Sequence, residues 1–248
     1  MVRPALAEVN LPDSGWRVFQ VRYLEPRNQG AISLTSELEQ VVENRQRIYR
    51  SERFGQPVYV VERRERTREG DEFEWTFVLD PRELDLFWAE KNTSTRSGQQ
   101  VAGSWTNYRN PMNNYPQKLC HIYTLAYFLQ TLDLHPGARY DLYLQLALDA
   151  TPWHMFVLVT GKETVSVPAG KFDCYKLKLE PDYKAILGKW SWAARVLEPF
   201  VPDFFFWLEE APPHALVRFE GKFGPVGAAP TQAHELVEVK PVEEKPGP

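Results

Sequence analysis

The sequence predicts a mainly β fold, in which a meandering antiparallel sheet curves around one buried apolar helix. Short runs of alternating apolar and polar residues recur along the chain between Pro- and Gly-containing turns, as in a meandering antiparallel sheet. The clearest turns lie in Thr151–Glu180, which is predicted to form three strands folded back on themselves, with Pro168 and Gly170 favouring the second reversal. The segment Leu119–Leu132, which has no Asp, Glu, Lys or Arg, interrupts this pattern.

Size and composition favour a wide sheet with a large core. The chain has 248 residues, of which 43% are hydrophobic and 13% aromatic. The 8 Trp and 14 Phe side chains bury well but are hard to cover completely, so a wide sheet or a lined cavity suits them best. The formal net charge of −4 is too small to indicate nucleic acid or an anionic membrane surface as a partner.

The N-terminal half begins with a lead-in and continues with strands. Residues 1–14 contain two prolines and little pattern, so we expect a loose lead-in before a single domain over residues 15–239. The segment 36–51 fits either a short helix or a strand. The other alternating runs in this half predict strands, which begin near Trp16, Gly30, Trp75, Leu84 and Val101.

The segment Pro57–Glu74 is densely charged, with Arg and acidic residues interleaved. One interpretation is an anion-binding patch. The other is a solvated hairpin that turns at Glu69-Gly70-Asp71, in which the two signs of charge cancel. We favour the hairpin because mixed charge does not build a strong electrostatic field.

Residues 117–132 are predicted to form a helix that is buried on several sides. Apolar side chains fall on nearly every face of this segment, which is typical of a helix covered from more than one direction. Pro116 marks its start, and Pro136-Gly137 lies beyond its end. The run is too short to cross a bilayer. We therefore place the helix inside the curve of the sheet, as a plug.

The C-terminal half holds the strongest strand pattern and a second apolar insertion. Every second residue of the run 140–148 is apolar or aromatic, which predicts a half-buried strand. Residues 183–202 carry many apolar side chains and are predicted to be helical in part. Strands resume near residue 204, and the Pro- and Glu-rich residues 240–248 are predicted to be disordered.

The sequence contains no recognisable catalytic or metal-binding motif. The five histidines are not spaced like paired metal ligands on one helix or strand. Cys120 and His121 are adjacent, but neighbours on a helix do not face each other. There is no nucleophile elbow, phosphate-binding glycine loop or HExxH sequence. We therefore predict no catalytic residue, no cofactor and no metal, and we expect Cys120 and Cys174 to be two buried thiols rather than a disulfide.

The excess of aromatic residues allows two interpretations. In the first, a concave sheet face and tyrosines of the helix hold an apolar ligand. In the second, the same residues form an ordinary core that packs against the helix and leaves no void, since protein interiors normally fill themselves. The candidate ligand-binding residues are Trp75, Phe77, Leu86, Trp88, Trp105, Tyr123, Tyr127, Tyr140, Leu142 and Leu144.

Several short motifs resemble those of the bacterial domain-of-unknown-function family DUF3108. The sequence VSVPAGKFDC at Val165–Cys174 resembles that family's E-x-x-x-T-P-A-G-x-F hairpin. The sequence LHPG at Leu134–Gly137 precedes a predicted strand, and Phe206-Trp207 is followed by VRFE at Val217–Glu220, in the order that the family shows. The resemblance covers roughly residues 16–239.

This resemblance implies an open, strongly curved antiparallel half-barrel with a helix in its mouth, similar to the lipoprotein carriers LolA and LolB. The family's members are mostly exported proteins of Gram-negative bacteria, so the resemblance implies a periplasmic or outer-membrane-associated protein. The family has no agreed catalytic residues to carry over. Residues 183–202 depart from the family pattern, which bears on whether the mouth is open. No complete signal peptide is visible, so we expect it to be absent or trimmed.

Three hypotheses for function follow. The leading one is a non-enzymatic cell-envelope binding protein whose half-barrel cavity holds a lipid or another apolar molecule, with residues 183–202 as a lid. The second is a structural or assembly protein that uses Trp190, Trp192 and Phe200 to contact a protein partner. The third is an enzyme with a small aromatic substrate in the same cavity, which would need converging polar groups from His121, Tyr123, Tyr127 or His154. No transmembrane segment and no nucleic-acid partner are expected.

Overall fold

A computed structural model describes residues 11–24, 41–95, 98, 100–109, 115–148, 150–187, 204–222 and 231–241. In these ranges the chain forms thirteen strands and two short helices. The strands are β1 Arg17–Tyr23, β2 Val41–Arg53, β3 Gln56–Thr67, β4 Glu72–Leu79, β5 Leu86–Ser94, β6 Gln100–Asn107, β7 Leu119–His121, β8 Arg139–Gln145, β9 Trp153–Val167, β10 Gly170–Pro181, β11 Phe204–Glu209, β12 Leu216–Lys222 and β13 Thr231–Val239. The helices are α1 Leu125–Leu129 and α2 Tyr183–Leu187.

All thirteen strands belong to one sheet. Their order is β6-β5-β4-β3-β2-β1-β13-β12-β11-β10-β9-β8-β7. Neighbouring strands are antiparallel, except that β7 runs parallel to β8. The order therefore consists of two meanders, β1 to β6 and β13 to β7, which join where β1 pairs with β13. The mainly β class is confirmed.

The sheet curls until its two ends face each other. Tyr108, just after β6, donates its hydroxyl hydrogen to the backbone carbonyl of Leu148, just after β8, over 3.5 Å. The Thr106 hydroxyl bonds to the same carbonyl over 3.4 Å. One continuous apolar core fills the inside of the curl and includes residues of both meanders and of α1. This open, curled sheet is the predicted half-barrel architecture.

The predicted plug lies inside the curl, but its helix is shorter than expected. All five residues of α1 are buried. The prediction of a helix over residues 117–132 is wrong at its start, because Leu119–His121 form β7. The Thr124 hydroxyl then accepts the backbone N–H of His121 over 3.2 Å in the turn that leads to α1. A run in which every side is apolar does not distinguish a buried strand from a buried helix.

The hairpin of β9 and β10 turns at Pro168-Ala169-Gly170, as the sequence predicts. The prediction of three strands is wrong, because residues 153–167 form the single strand β9. Gly170 has a φ of 139°, a conformation that side chains other than glycine rarely adopt. The backbone N–H of Ala169, at the tip, donates to the Leu236 carbonyl of β13 over 3.0 Å. The hairpin tip therefore reaches back over the sheet to the strand that joins the two meanders.

Two segments complete the fold. Leu11 is buried, and the side-chain oxygens of Asp13 and Ser14 accept backbone N–H groups of β2. The lead-in is therefore packed against β2 from residue 11 onward. The ambiguous segment at 36–51 is a strand from Val41. The predicted second insertion begins with α2, and residues 188–203, which include Trp190, Trp192 and Phe200, lie outside the described residues.

Substitution of α1 tests whether the plug belongs to the core. Leu129 is 0% exposed, so Leu129→Ala is expected to lower the free energy of unfolding by about 2 to 5 kcal/mol. Leu146 is 37% exposed, and Leu146→Ala, the matched control, is expected to cost about 0.5 kcal/mol or less. Urea unfolding of both variants measures the difference. An equal loss at the two positions would mean that α1 is not a core element.

Candidate functional site

The concave face of the sheet changes from apolar to polar along β3. Side-chain alternation places Tyr59 and Val61 inside the curl, and it places Arg63 and Glu65 there as well. Residues of β4, β7 and the turn before α1 meet them. We call this group the interior polar cluster, and its members are Arg63, Glu65, Trp75, His121, Tyr123 and Tyr127.

A buried ion pair forms the centre of the interior polar cluster. The Arg63 Nε–H donates to Glu65 Oε1 over 2.8 Å, and Nη1 donates to Gln46 Oε1 over 3.3 Å. The guanidinium lies 4.1 Å from the ring centroid of Tyr123, and the Tyr123 hydroxyl bonds to Glu65. Removing one member of such a buried pair costs roughly 3 to 5 kcal/mol, because the other charge is left uncompensated.

His121 is held as a neutral imidazole. Its Nδ1 accepts the backbone N–H of Tyr123 over 3.2 Å, so the ring hydrogen lies on Nε2. The ring is 0% exposed and packs 4.8 Å from the Phe77 centroid and 5.8 Å from the Trp75 centroid. Burial, together with the positive charge of Arg63, lowers the pKa of His121 to about 3.

Three neutral hydrogen-bond donors in the interior polar cluster are unsatisfied, and Arg63 Nη2 makes only an ion-pair contact of 2.7 Å with Glu65 Oε1 and no hydrogen bond among the described residues. The Trp75 Nε1, the His121 Nε2 and the Tyr127 hydroxyl have no hydrogen-bond partner among the described residues, although each atom is buried. Burial also raises the pKa of Tyr127, so its hydroxyl keeps its proton. Buried polar atoms without partners are rare in folded proteins, and each one calls for an explanation.

A second pair of buried polar side chains borders the interior polar cluster. Asn44 of β2 and His234 of β13 are linked by a 2.7 Å hydrogen bond between Asn44 Nδ2 and His234 Nδ1. Burial and Arg63 lower the pKa of His234 well below its usual value. The inside of the curl therefore holds two neutral histidines, and the charge of Arg63 acts on both.

A cavity of about 390 Å³ lies where the two ends of the curled sheet face each other. We call it the seam cavity. Leu86 of β5 and Leu119 of β7 come from opposite ends of the sheet, and three aromatic rings and several charged side chains complete the lining. The full set is Asp80, Arg82, Glu83, Asp85, Leu86, Phe87, Tyr108, Arg109, Tyr115, Pro116, Gln117 and Leu119.

Asp85 is the most strongly perturbed carboxyl group of the seam cavity. Burial raises its pKa to about 6, and the nearby Glu83 and Asp80 act in the same direction. The backbone N–H groups of Lys118 and Leu119 oppose the shift by bonding to the carboxylate. The charged form of Asp85 is therefore less stable in the folded protein than in the unfolded chain.

The structure separates the predicted ligand-binding residues into several environments. Phe77, Leu142 and Leu144 are buried in the continuous core, and Tyr140 packs at its edge, where its hydroxyl bonds to the Asp133 carbonyl. Leu86 lines the seam cavity. Trp75, Tyr123 and Tyr127 belong to the interior polar cluster. Whether any of them contacts a ligand stays a prediction.

Two predicted ligand-binding residues lie on the outer face of the sheet. A β-bulge between Val78 and Leu79 reverses the expected alternation on β5, so Trp88 packs with Tyr49 in an outer cluster. Trp105 of β6 is paired with Glu90 of β5 and is 68% exposed. The inference that these residues face the inside of the curl is therefore wrong.

Arg63, Glu65 and Asp85 were not predicted as site residues from the sequence. The first two lie in the charged segment that was interpreted as a solvated hairpin, and that interpretation is wrong for them. Arg63 and Glu65 continue the alternation of Tyr59 and Val61 at every second position, and this pattern could have placed their side chains inside the curl. The other charges of this hairpin do pair across strands, as expected for cancelling signs, in Arg47–Glu62, Arg64–Glu74 and Arg66–Glu43.

The remaining expectations concern cysteines, metals and His154. Cys120 and Cys174 are both free and buried, as predicted. Among the described residues, no group of three or more His, Cys, Asp and Glu side chains could hold a metal ion. His154 lies apart from the interior polar cluster, and its Nδ1 is 2.8 Å from Asp182 Oδ2. Within the described ranges, neither α1 nor α2 approaches the length of a bilayer-spanning helix.

The fold places the chain among curled, barrel-like β proteins. It is similar to a β-barrel-like protein of the domain-of-unknown-function family DUF1849 from Brucella abortus, with a TM-score of 0.54 and 10% identity over 93% of this chain and 98% of that chain. At this identity the similarity shows the fold alone.

Two further solved structures are more distant. One is a Bacteroides fragilis protein with a YmcC-like fold, thought to be exported, with a TM-score of 0.37 and 14% identity over 92% of this chain and 96% of that chain. The other is a Parabacteroides distasonis protein provisionally classed as a lipoprotein, with a TM-score of 0.36 and 11% identity over 92% and 96% of the two chains. No family model matches the chain. No curated protein is significantly similar to it in sequence.

The raised pKa of Asp85 predicts a pH-dependent stability. The folded protein binds this proton more tightly than the unfolded chain, so Asp85 lowers the stability as the pH rises from about 4 to about 6. Asp85→Asn is therefore expected to raise the free energy of unfolding by about 1 to 2 kcal/mol at pH 8, a value discounted for partial solvent exposure. At pH 4 little change is expected.

The matched control is Asp133→Asn, because the Asp133 side chain is 93% exposed. Urea unfolding of the wild type and both variants at pH 4 and pH 8 provides the measurement. An Asp85→Asn effect of the same size at both pH values would contradict the raised pKa.

Proposed function

We propose that this protein is a non-enzymatic binding protein of the cell envelope that holds a lipid or another apolar molecule in its half-barrel. The envelope location, periplasmic or at the outer membrane, rests on the resemblance of the sequence motifs to DUF3108 and to the LolA and LolB carriers. The seam cavity is the observation that carries the proposal.

The size of the seam cavity and the apolar part of its lining suit the apolar chain of a ligand. Its volume of about 390 Å³ lies within the range of roughly 300 to 1,000 Å³ that is usual for ligand pockets. Leu86 and Leu119, which belong to the continuous core, line it together with the rings of Phe87, Tyr108 and Tyr115. The charged side chains Arg82, Glu83 and Arg109 are exposed to solvent. The apolar part of a ligand therefore fits against the core side of the cavity, and the charged side chains border the cavity towards solvent.

The position of the seam cavity also favours ligand entry. β5 and β7 are not hydrogen-bonded neighbours in the sheet order, so no backbone ladder closes the seam between them. A ligand can therefore enter by moving side chains and short connections. Entry at any other place in the sheet would require a break between two hydrogen-bonded strands.

The polar groups inside the curl support binding better than catalysis. The structure brings His121, Tyr123 and Tyr127 together, as the enzyme hypothesis requires. However, a general acid or base works best when its pKa is near the working pH. The pKa of His121 is lowered to about 3, and burial raises the pKa of both tyrosines. These side chains keep fixed protonation states near neutral pH and act as stable hydrogen-bond donors.

Lipid extraction and probe binding test the proposal. Native mass spectrometry after gentle purification is expected to show an adduct of lipid mass, and the delipidated protein is expected to bind a fluorescent fatty acyl probe. A wild-type protein that emerges without ligand and fails to bind the probe would overturn the proposal.

A matched pair of variants locates the binding site. Gln117 is exposed and lines the seam cavity, so Gln117→Trp places an indole in the cavity and is expected to weaken probe binding at least about tenfold, the effect of losing roughly 1.4 kcal/mol. Gln100, on β6, is also exposed and does not line the seam cavity, and Gln100→Trp is expected to bind normally. Equal binding by both variants would place the ligand elsewhere.

A further inference from the structure

We propose that the interior polar cluster binds the carbonyl oxygen of an acyl ester, which the ligand carries at the polar end of its apolar chain. This inference rests on the proposed function, because it names the chemical class of the molecule that the half-barrel holds.

The available groups of the interior polar cluster are hydrogen-bond donors. The imidazole of His121 offers an N–H at Nε2, since its Nδ1 is already an acceptor for the Tyr123 backbone. The Trp75 Nε1–H is a donor by its chemistry. The Tyr127 hydroxyl has no acceptor among the described residues. Three donors without acceptors match a ligand that brings acceptor oxygens and no hydrogen-bond donors of its own.

Two of the three donors, those of Trp75 and His121, belong to adjoining side chains, and the third, Tyr127, interacts with the same cation as His121, Arg63. The Trp75 and His121 ring centroids are 5.8 Å apart, and the Tyr123 ring lies 5.2 Å from Trp75 and 5.1 Å from His121. Tyr127 lies in α1, four residues after Tyr123, which precedes the helix. The charge of Arg63, which packs on Tyr123, also acts on Tyr127.

Charge balance favours a neutral acceptor over a carboxylate. Arg63 is compensated by Glu65, and Arg17, the other cation that acts on Tyr127, lies 3.8 Å from Glu209. An added anion in this interior would meet positive charges that are already paired, and burial of an uncompensated charge is costly. Lys91, the strand partner of Trp75, lies 5.1 Å from the Trp75 ring centroid and is half-buried, so it is in contact with solvent. An ester carbonyl needs no counter-charge.

The seam cavity and the interior polar cluster are within reach of one ligand. Leu119 lines the cavity and His121 belongs to the cluster, and both residues lie on β7. Two strand residues span about 7 Å. An apolar chain in the seam cavity can therefore bring an oxygen at its end to the donors of the cluster.

A series of probes with one tail and three polar ends tests the inference. The probes are a fluorescent fatty acyl methyl ester, the methyl ether of the same length, which lacks the carbonyl, and the free acid. At pH 7.5 the wild type is expected to bind the ester about 3- to 10-fold more tightly than the ether, as one net hydrogen bond provides. Binding of the free acid more tightly than the ester would overturn the choice of a neutral acceptor.

Tyr127→Phe tests whether the interior polar cluster causes the preference for the ester over the ether, because it removes one hydroxyl group and keeps the ring. It is expected to lower the affinity for the ester about 3- to 10-fold and to leave the affinity for the ether unchanged. Tyr143→Phe makes the same chemical change on β8, outside the interior polar cluster, and is expected to change neither affinity. Equal effects of the two variants would overturn the inference.

Stability measurements separate an effect of Tyr127→Phe on ligand binding from an effect on folding. Since the Tyr127 hydroxyl has no partner among the described residues, Tyr127→Phe is expected to unfold at the same or a higher urea concentration than the ligand-free wild type. A clear loss of stability would mean that the hydroxyl already serves the fold, and this too would overturn the inference. If no probe binds the wild type, the proposed function fails. If ester and ether bind equally well, only the ester inference fails.

Discussion

The pairing of β1 with β13 is the contact on which the rest of the structure depends. Gln20 and Glu235, which are partners in this ladder, are 215 positions apart in the sequence. Ordering the ends of so long a segment costs loop-closure entropy before any contact compensates for it. The pairing nevertheless joins two meanders, each built from local hairpins, into one sheet wide enough to curl around α1. It also brings His234 of one meander beside Asn44 of the other.

The curled sheet encloses an interior that side chains must fill, and apolar residues fill one region of it while polar and charged residues fill another. Around α1 and β8 the filling is apolar, with Leu125, Leu129 and Leu142 fully buried, and burial of this kind supplies most of the stability of a folded domain. Along β3 the filling is ionic and polar. Arg63 and Glu65 gain little net stability there, since the cost of desolvation offsets their attraction. Stability alone therefore does not account for the polar side chains that are buried along β3.

The features that the sequence predicts well are those that local patterns encode. Alternation predicts the strands, Pro168 and Gly170 predict the reversal between β9 and β10, and an uncharged run predicts the plug. The order of strands across the sheet depends on contacts between residues that are far apart in the sequence. The pairing of β1 with β13 could therefore not be predicted from local patterns. β7 was mistaken for helix because a fully buried strand has no periodicity.

Errors at the candidate site have equally specific causes. One β-bulge moved Trp88 to the outer face, since an extra residue exchanges the two sides of a strand. Charge misled the interpretation of Arg63 and Glu65, which follow the inward alternation of β3 although charged residues are rarely buried without a partner. Each of them has the other as its partner. The seam cavity could not be predicted at all, because its lining comes from segments that meet only when the two ends of the sheet approach each other.

The comparison with the Brucella abortus protein bears on which features carry function. That protein has the same general fold at 10% identity over nearly the whole chain, so the curled sheet tolerates almost complete replacement of its side chains. A fold that many sequences can adopt does not require any particular charged residue in its interior, and it does not specify a function. A functional hypothesis therefore has to start from the side chains that this chain places inside the curl, which are the neutral His121, the buried Arg63–Glu65 pair and the unsatisfied donors. These groups gain little stability for the fold, and they are the ones that the proposed probe experiments address.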